Sequence, residues 1–378
     1  MPAAVPAYLK DFSDAPPGHR FSLYYAGWNS DWSKPRNGVV DTLDKLKTLP
    51  DHSIKLLTAF CARQNTAAEM LGEQVLVLPC ISTAPFATGL GNEHPLENGF
   101  AFLTPYGLPY LAGSGIKGVI RTAAEELASG EWGEAKGWNE DTIRALFGPG
   151  EEDSTRDSHP QQGALRFWDI LPILHKDEMS VEIMTPHHGE YYQGKHSPHN
   201  SENPNPISFL AVPAGSKFTF FVECNAALLR DETLRQTWRN LLEAAFDHAG
   251  KWLGFGAKTA VGYGRMIRDE KAIEVARERK KQQAHADELA ILSPALRRIE
   301  EFKTAFDTRA KQLRDGGKDN PNTKYHDMAR DLARAAAGWD GKEERIAAAD
   351  AIEEWLPRVV RVDMKDERKK LKLSALRG

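Results

Sequence analysis

The order of patterns along this 378-residue chain predicts an α+β fold, with one sheet covered by helices on one face and an α-helical extension behind it. Three observations predict this. Apolar, β-branched runs at Gln74–Ser82, Ala164–Leu174 and, around a turn at Pro213–Ser216, Ile207–Cys224 have the length and composition of strands. Helical periodicity falls between and after them. Val119, Ile120, Ala123, Ala124 and Leu127 share one face before a stop at Gly130, and Leu234, Trp238, Leu241, Leu242 and Phe246 share another. Beyond residue 271 helical patterns dominate. The sequence of elements is strand, glycine loop, helix, strand, strand, helix, glycine loop, strand. That βαββαβ order is the ferredoxin-like arrangement, here with long inserted loops. Residues 1–270 are thus read as the α+β domain with an N-terminal extension, and 271–378 as the helical extension.

The first seventy residues read as irregular, then partly helical, with Phe21, Tyr24, Tyr25, Trp28 and Trp32 as packing residues. Thr83–Phe102 is rich in Gly, Pro and Asn and reads as loop, as does Thr185–Pro206. Gly148–Gly163 is too hydrophilic to pack. In the extension, Ser293 and Pro294 suit N-cap and first-turn positions and Gly316-Gly317 a stop. Ile291, Leu296, Ile299, Phe302, Phe306 and Leu313 recur at three and four residues, which implies a buried face.

Composition narrows the function classes. Hydrophobic residues at 41% and charged residues at 27% are ordinary for a globular protein. No run of eighteen apolar residues exists for a membrane span, and the first twenty residues lack a secretory pattern, so a cytoplasmic protein is expected. Cys61, Cys80 and Cys224 are odd in number and far apart, which suits buried thiols rather than disulfides or zinc. The net charge of −4 conceals an asymmetry. Residues 271–378 hold 25 Lys and Arg against 20 Asp and Glu, a net of +5, which leaves −9 for residues 1–270. A nucleic acid must therefore meet the first region through local patches. Two windows supply them: Leu111–Ala123 with Lys117 and Arg121, and Lys251–Arg268 with Lys251, Lys258, Arg265 and Arg268, neither containing an acid.

Each window holds a glycine element. Gly254–Gly264 reads GFGAKTAVGYG. Glycines at 254, 256, 262 and 264 permit close backbone approach and exposed N–H groups. Lys258, Thr259 and Arg265 suit phosphates, and Tyr263 suits stacking on a base. The order is neither a Walker loop nor a dinucleotide fingerprint, because a helix enters it and a strand leaves. Gly113-Ser114-Gly115-Ile116-Lys117-Gly118 opens a helix, whose N-terminus favours anions. Lys117 and Arg121 lie one turn apart, and Ser114 serves equally as an N-cap.

GFGAKTAVGYGRM resembles the C-terminal glycine-rich loop of RAMP proteins, and LPYLAGSGIKGVIRTAAEE resembles their internal glycine-serine-lysine element. MTPHHGEYY, followed by NPNPISFLAV, resembles the sixth-subunit family of type III-B CRISPR (Cmr) complexes. The resemblance covers about residues 74–268 with the motifs in order. Gly115 stands where the family often has a second serine. The resemblance implies an RRM-like, ferredoxin-like core that binds guide RNA near its 3′ end at one tip of a helical complex. It also implies contact with target RNA, the repeating backbone RAMP subunit and a neighbouring RAMP subunit, in defence against foreign RNA. It implies no cofactor, no metal and no catalytic role.

His187, His188, Tyr191 and Tyr192 carry the remaining candidate chemistry. A histidine there suits a general base for metal-free RNA cleavage, which makes an endoribonuclease acting on precursor RNA the alternative. Zinc lacks a paired HxxxH or cysteine, and no HExxH, GxSxG or paired-carboxylate signature appears. His, Tyr and Lys are also the residue types that meet splayed bases, so RNA or subunit contact is the expected role. The extension is expected to form a helical bundle that contacts a protein neighbour.

Overall fold

In the computed structural model the chain is described at residues 8, 12–25, 27–33, 39–150, 162–185, 197, 206–313 and 317–378. It divides into two compact units, Met1–Ile273 and Glu274–Gly378.

The first unit opens with three helices, α1 (Pro17–Ser22), α2 (Val39–Leu46) and α3 (Asp51–Leu71). Arg20 ties α1 to the end of α2 by donating to the carbonyls of Lys45, Leu46 and Thr48. Gly72, at φ 55°, ends α3 and turns the chain toward β1 (Val75–Ser82). There follow α4 (Gly113–Ala128), α5 (Glu140–Phe147), β2 (Leu165–Phe167), β3 (Ser180–Met184), β4 (Ile207–Ala211), β5 (Lys217–Cys224), α6 (Glu232–His248) and β6 (Met266–Arg268). One four-stranded sheet runs β2-β5-β1-β6, antiparallel throughout. With the β3–β4 ribbon set aside, the order β1-α4-β2-β5-α6-β6 is the βαββαβ of a ferredoxin-like domain.

Strand alternation builds the core. Leu76, Leu78 and Cys80 of β1 are buried, as are Phe218, Phe220 and Val222 of β5. Helix α4 adds Ile116, Ile120, Ala123, Ala124 and Leu127, and α6 adds Leu234, Trp238, Leu242 and Phe246. Val119 is half-buried beside them. Phe220 sits 4.9 Å from Phe246 and 5.0 Å from Phe255. Burial pushes the Cys80 thiol up to about 12 and the Cys224 thiol up to about 11, so both are inert thiols.

Two local departures matter. The strand expected over Ala164–Leu174 keeps a ladder only at β2, continuing through isolated bridges at Ile170 and Ile173. The turn at Pro213–Ser216 is a corner between layers. β4 pairs with β3, from Ser180↔Ala211 to Met184↔Ile207, while β5 pairs with β1. Ser82 and Ser216 pin that corner, Gly215 N donating to the Ser82 carbonyl at 2.7 Å and Ser216 Oγ to the Pro213 carbonyl at 2.8 Å.

The second unit takes up α7 (Glu270–Ile291) and continues with α8 (Pro294–Gln312), α9 (Lys324–Ala336), α10 (Lys342–Val359), α11 (Met364–Lys370) and α12 (Leu373–Arg377). Ser293 caps α8, its hydroxyl accepting from Leu296 N, but the helix ends at Gln312, before the expected glycine stop. Ile299, Phe302 and Phe306 pack against Leu332, Ile352, Leu356 and Val359. Ala329, Ala333 and Ala336 face Ala348, Ala349 and Ala351, small residues that let the helices approach closely. Ile291, expected in this face, is 87% exposed. His326 and Glu367, both buried, meet at 3.0 Å. Burial alone pushes the Glu367 carboxyl up, but hydrogen bonds from His326 and Lys370 outweigh it and hold the carboxyl below its usual value. Among the described residues no helix is long and apolar enough to cross a membrane.

Candidate nucleic-acid interface

The glycine loop takes its shape from main-chain crowding. The chain leaves α6 through a π-type turn over Ala249–Leu253, and Gly254 follows at φ 76°. Phe255 N donates to the Gly264 carbonyl at 3.0 Å, closing the loop on itself. The segment after β1 docks beneath it. Gly264 N donates to the Pro85 carbonyl (2.8 Å), Ala257 N to the Ala87 carbonyl (2.7 Å) and Thr83 N to the Arg265 carbonyl (2.9 Å). A side chain at Gly254, Gly256 or Gly264 would run into the carbonyl oxygens of Tyr263, Ala87 or Phe255 respectively, and all three glycines have positive φ. Gly262, at φ 96°, faces open space.

This construction consumes most of the loop's donors. The amides of Gly254, Phe255, Ala257, Val261, Gly262, Tyr263 and Gly264 all donate to carbonyls of the protein. Seven of the loop's eleven amides are therefore spent, while those of Gly256, Lys258, Thr259 and Ala260 donate to no protein carbonyl among the described residues. Side chains and this short stretch are what a phosphate can meet. Lys258, at φ 60°, holds its ammonium 5.4 Å above the Phe209 ring. Arg265 is exposed, and its side chain has no hydrogen-bond or ion-pair partner among the described residues. Thr259 begins the short 3-10 turn between them. Tyr263 packs 5.9 Å from Phe209 and donates its hydroxyl to Glu182 at 3.2 Å. Burial, then the Glu182 charge and hydrogen bond, push its phenol up to about 12, so the ring is a neutral wall.

Phe209 and Glu182 were invisible as site residues in the sequence. They arrive from opposite strands of the β3–β4 ribbon as a register pair. Met184 joins Tyr263 and Phe209 in the same apolar cluster. The ribbon strands end at Met184 and resume at Ile207. His187, His188, Tyr191 and Tyr192 lie between those positions in the chain and outside the described residues.

The second glycine element is built differently. Helix α4 starts at Gly113 with Ala112 as N-cap, so Ser114 is an exposed first-turn residue. Gly113 N donates to Asp169 Oδ1 at 2.7 Å. A carboxylate therefore already takes up one of the N–H groups through which this terminus was expected to bind an anion. Asp169 is the one acid in the apolar run Ala164–Leu174, a legible hint of such a role. Gly115 and Gly118 are exposed, and Lys117 is half-buried with no side-chain partner among the described residues. Arg121 is committed elsewhere, to Glu125 at 2.9 Å and to the Gly148 and Pro149 carbonyls.

Charges in the two windows thus sort into free and neutralised. Arg268 is held by Asp247 at 2.6 Å and Glu243 at 2.9 Å, whereas Lys251, 4.8 Å over the Trp252 ring, keeps its charge as Lys258 does. Lys117, Lys251, Lys258 and Arg265 remain for a ligand. Among the described residues, neither Ser114 nor Lys117 shares a hydrogen bond, ion pair or ring contact with residues 254–265.

Residues 81–267 match the model of the RAMP superfamily. Among curated proteins, the chain is similar to the CRISPR system Cmr subunit Cmr6 of Pyrococcus furiosus, 28% identical over 225 residues. That match takes in 47% of this chain and spans 64% of the relative's length. Among solved structures it is similar to a chain of the type III-B Cmr-beta complex bound to cognate target RNA, with a TM-score of 0.41 and 19% identity, covering 61% of this chain and 69% of the other. It is also similar to crystalline Cmr6 from Pyrococcus furiosus, with a TM-score of 0.31 and 25% identity, covering 51% and 97%. The matched span, just under half of the chain, holds the glycine loop, β2, β5 and the ends of β1 and β6 that pair in the four-stranded sheet.

Proposed function

We propose that this protein is a non-catalytic RNA-binding subunit of a cytoplasmic type III-B CRISPR ribonucleoprotein, of the sixth-subunit kind. It grips guide RNA near its 3′ end and caps the subunit filament against the repeating backbone RAMP subunit and a neighbouring RAMP subunit. The observation that carries the reading is the glycine loop, a rigid main-chain scaffold that presents Lys258 and Arg265 while most of its own amides are spent. Side-chain cations on such a scaffold contact phosphates, which fixes position along a strand without reading sequence. The similarity to the archaeal Cmr6 subunit supports the choice of complex. Lys117 and the exposed face of α4 form the second contact, and His187, His188, Tyr191 and Tyr192 meet RNA or a neighbour rather than cutting RNA.

Titrating the chain with labelled single-stranded RNA across a salt series tests this. Each phosphate neutralised on a single strand adds about −0.7 to the slope of log affinity against log salt. Lys258→Ala and Lys117→Ala should each flatten the slope by roughly that amount for every RNA tested. Unchanged slopes in both variants would sink the proposed surface. Metal-independent cleavage of a repeat RNA, lost in His187→Ala or His188→Ala, would favour an endoribonuclease instead.

A further inference from the structure

The helical unit contains a concavity of about 670 Å³ that its packing leaves unfilled. Arg330 and Arg334 line it from α9, Arg345 from α10, and Lys370 and Lys372 from the junction of α11 and α12. The other five lining residues are alanine and leucine, and none of the ten is acidic.

These cations are free enough to act. Arg334 meets Asp331 only at 3.6 Å, with side chains 82% and 60% exposed. Arg330 meets Asp327 at 3.0 Å and donates to Asn322 Oδ1 at 2.8 Å, and Lys370 meets Glu367 at 3.0 Å from a side chain 66% exposed. The Arg334 and Arg330 pairs are exposed and one helical turn apart, hence weak, so a phosphate competes with them. Lys370 stays tied to the buried Glu367 while its own side chain remains exposed. Arg345 donates to the main-chain carbonyls of Trp339 and Asp340, which orients the guanidinium without neutralising it. Lys372 is exposed and its side chain has no partner among the described residues. The acids these cations meet, Asp327, Asp331 and Glu367, are not part of the lining.

We infer that this groove binds the ribose-phosphate backbone of single-stranded RNA, as a contact additional to the glycine loop; it rests on the RNA-binding reading above. Two observations favour phosphate over a protein partner. Protein interfaces are anchored by buried aromatic residues, and none lines this groove. Interfaces with nucleic acid are polar and strongly positive, and arginine forks match phosphate oxygens two at a time. The groove also lies in the region of net +5, whereas residues 1–270 are net −9. A segment whose sequence suggested only a protein contact thus gains a role in holding RNA.

The test uses the full chain and a labelled single-stranded RNA carrying 4-thiouridine. The Arg334→Glu, Lys372→Glu double variant changes two exposed side chains, and a circular dichroism melt checks that it folds as the parent does. Its RNA affinity should fall at least tenfold, with the salt slope flatter by about 0.7 for each phosphate no longer neutralised. Photocrosslinks in the parent should map to residues 330–345 or 370–376. Affinity and slope unchanged in the double variant, with crosslinks confined to residues 83–265, would overturn the groove while leaving the glycine-loop reading intact. Retained RNA affinity with loss of a co-purifying Cmr subunit would overturn it in favour of a protein contact. A parent chain that binds no RNA at low salt would overturn both readings.

Discussion

The glycine loop at 254–264 and the glycine-bearing start of α4 have similar sequences, yet glycine answers a different constraint in each. In the loop, Gly254, Gly256 and Gly264 sit at positive φ with a carbonyl oxygen where a side chain would stand. In the helix, Gly113 alone is enforced, by crowding against the Phe167 carbonyl and without a positive φ. Gly115 has only Leu111 Cδ1 near its missing side chain, at 4.0 Å, and Gly118 has nothing within 4 Å. Both lie on the exposed face of a helix, where glycine costs about 1 kcal/mol relative to alanine. The loop glycines serve the fold. The outward helix glycines weaken it.

Gly264→Ala or Gly256→Ala is the severest way to strain that contrast. Left-handed backbone costs a non-glycine residue about 1–2 kcal/mol, and crowding a main-chain carbonyl adds a further cost of about 1–3 kcal/mol. Urea unfolding should show each variant destabilised by about 2–5 kcal/mol. A loss below about 1 kcal/mol would mean that the loop relaxes freely and is no rigid scaffold.

Gly262→Ala separates the two causes within the loop. Its φ of 96° is unfavourable for alanine, but no atom stands within 4 Å of the added carbon. The same unfolding measurement should give about 1–2 kcal/mol, the backbone cost alone. A loss equal to that of Gly264→Ala would show that conformation rather than crowding governs the loop.

Those distinctions mark the limit of what the sequence made legible. The βαββαβ order was readable because each element carries its own hydrophobic period, as in Leu76, Leu78 and Cys80 of β1 or Ile116, Ile120 and Ala123 of α4. The pairing of β4 with β3 was not, because Ile207–Ala211 and Lys217–Cys224 look like adjacent arms of one hairpin until Ser82 and Ser216 turn the corner. Local charge windows misled in the same way. Lys251–Arg268 contains no acid, yet Glu243 and Asp247 of α6 neutralise Arg268 from outside the window. Glycine spacing located the loop, but the identity of its partners, Pro85, Ala87 and the ribbon residues Phe209 and Glu182, is a property of the fold.

Gly118→Ala has the smallest expected effect and bears most directly on function. The substitution adds a methyl group to open space in regular helix, so the domain should become more stable by about 1 kcal/mol. In a domain of this size that raises Tm by about 2–4 °C, measurable by differential scanning calorimetry. RNA binding should move the other way. Gly115 and Gly118 lie three residues apart on one face beside Lys117, and a bare helix surface lets a phosphate backbone approach more closely than alanine permits. A stabilised variant that binds RNA more weakly would place the outward glycines at the ligand, since a merely structural role moves stability and affinity together. If Tm rises while affinity and salt slope stay as in the parent, RNA does not approach this face of α4, and the glycine loop carries the contact in this domain without it.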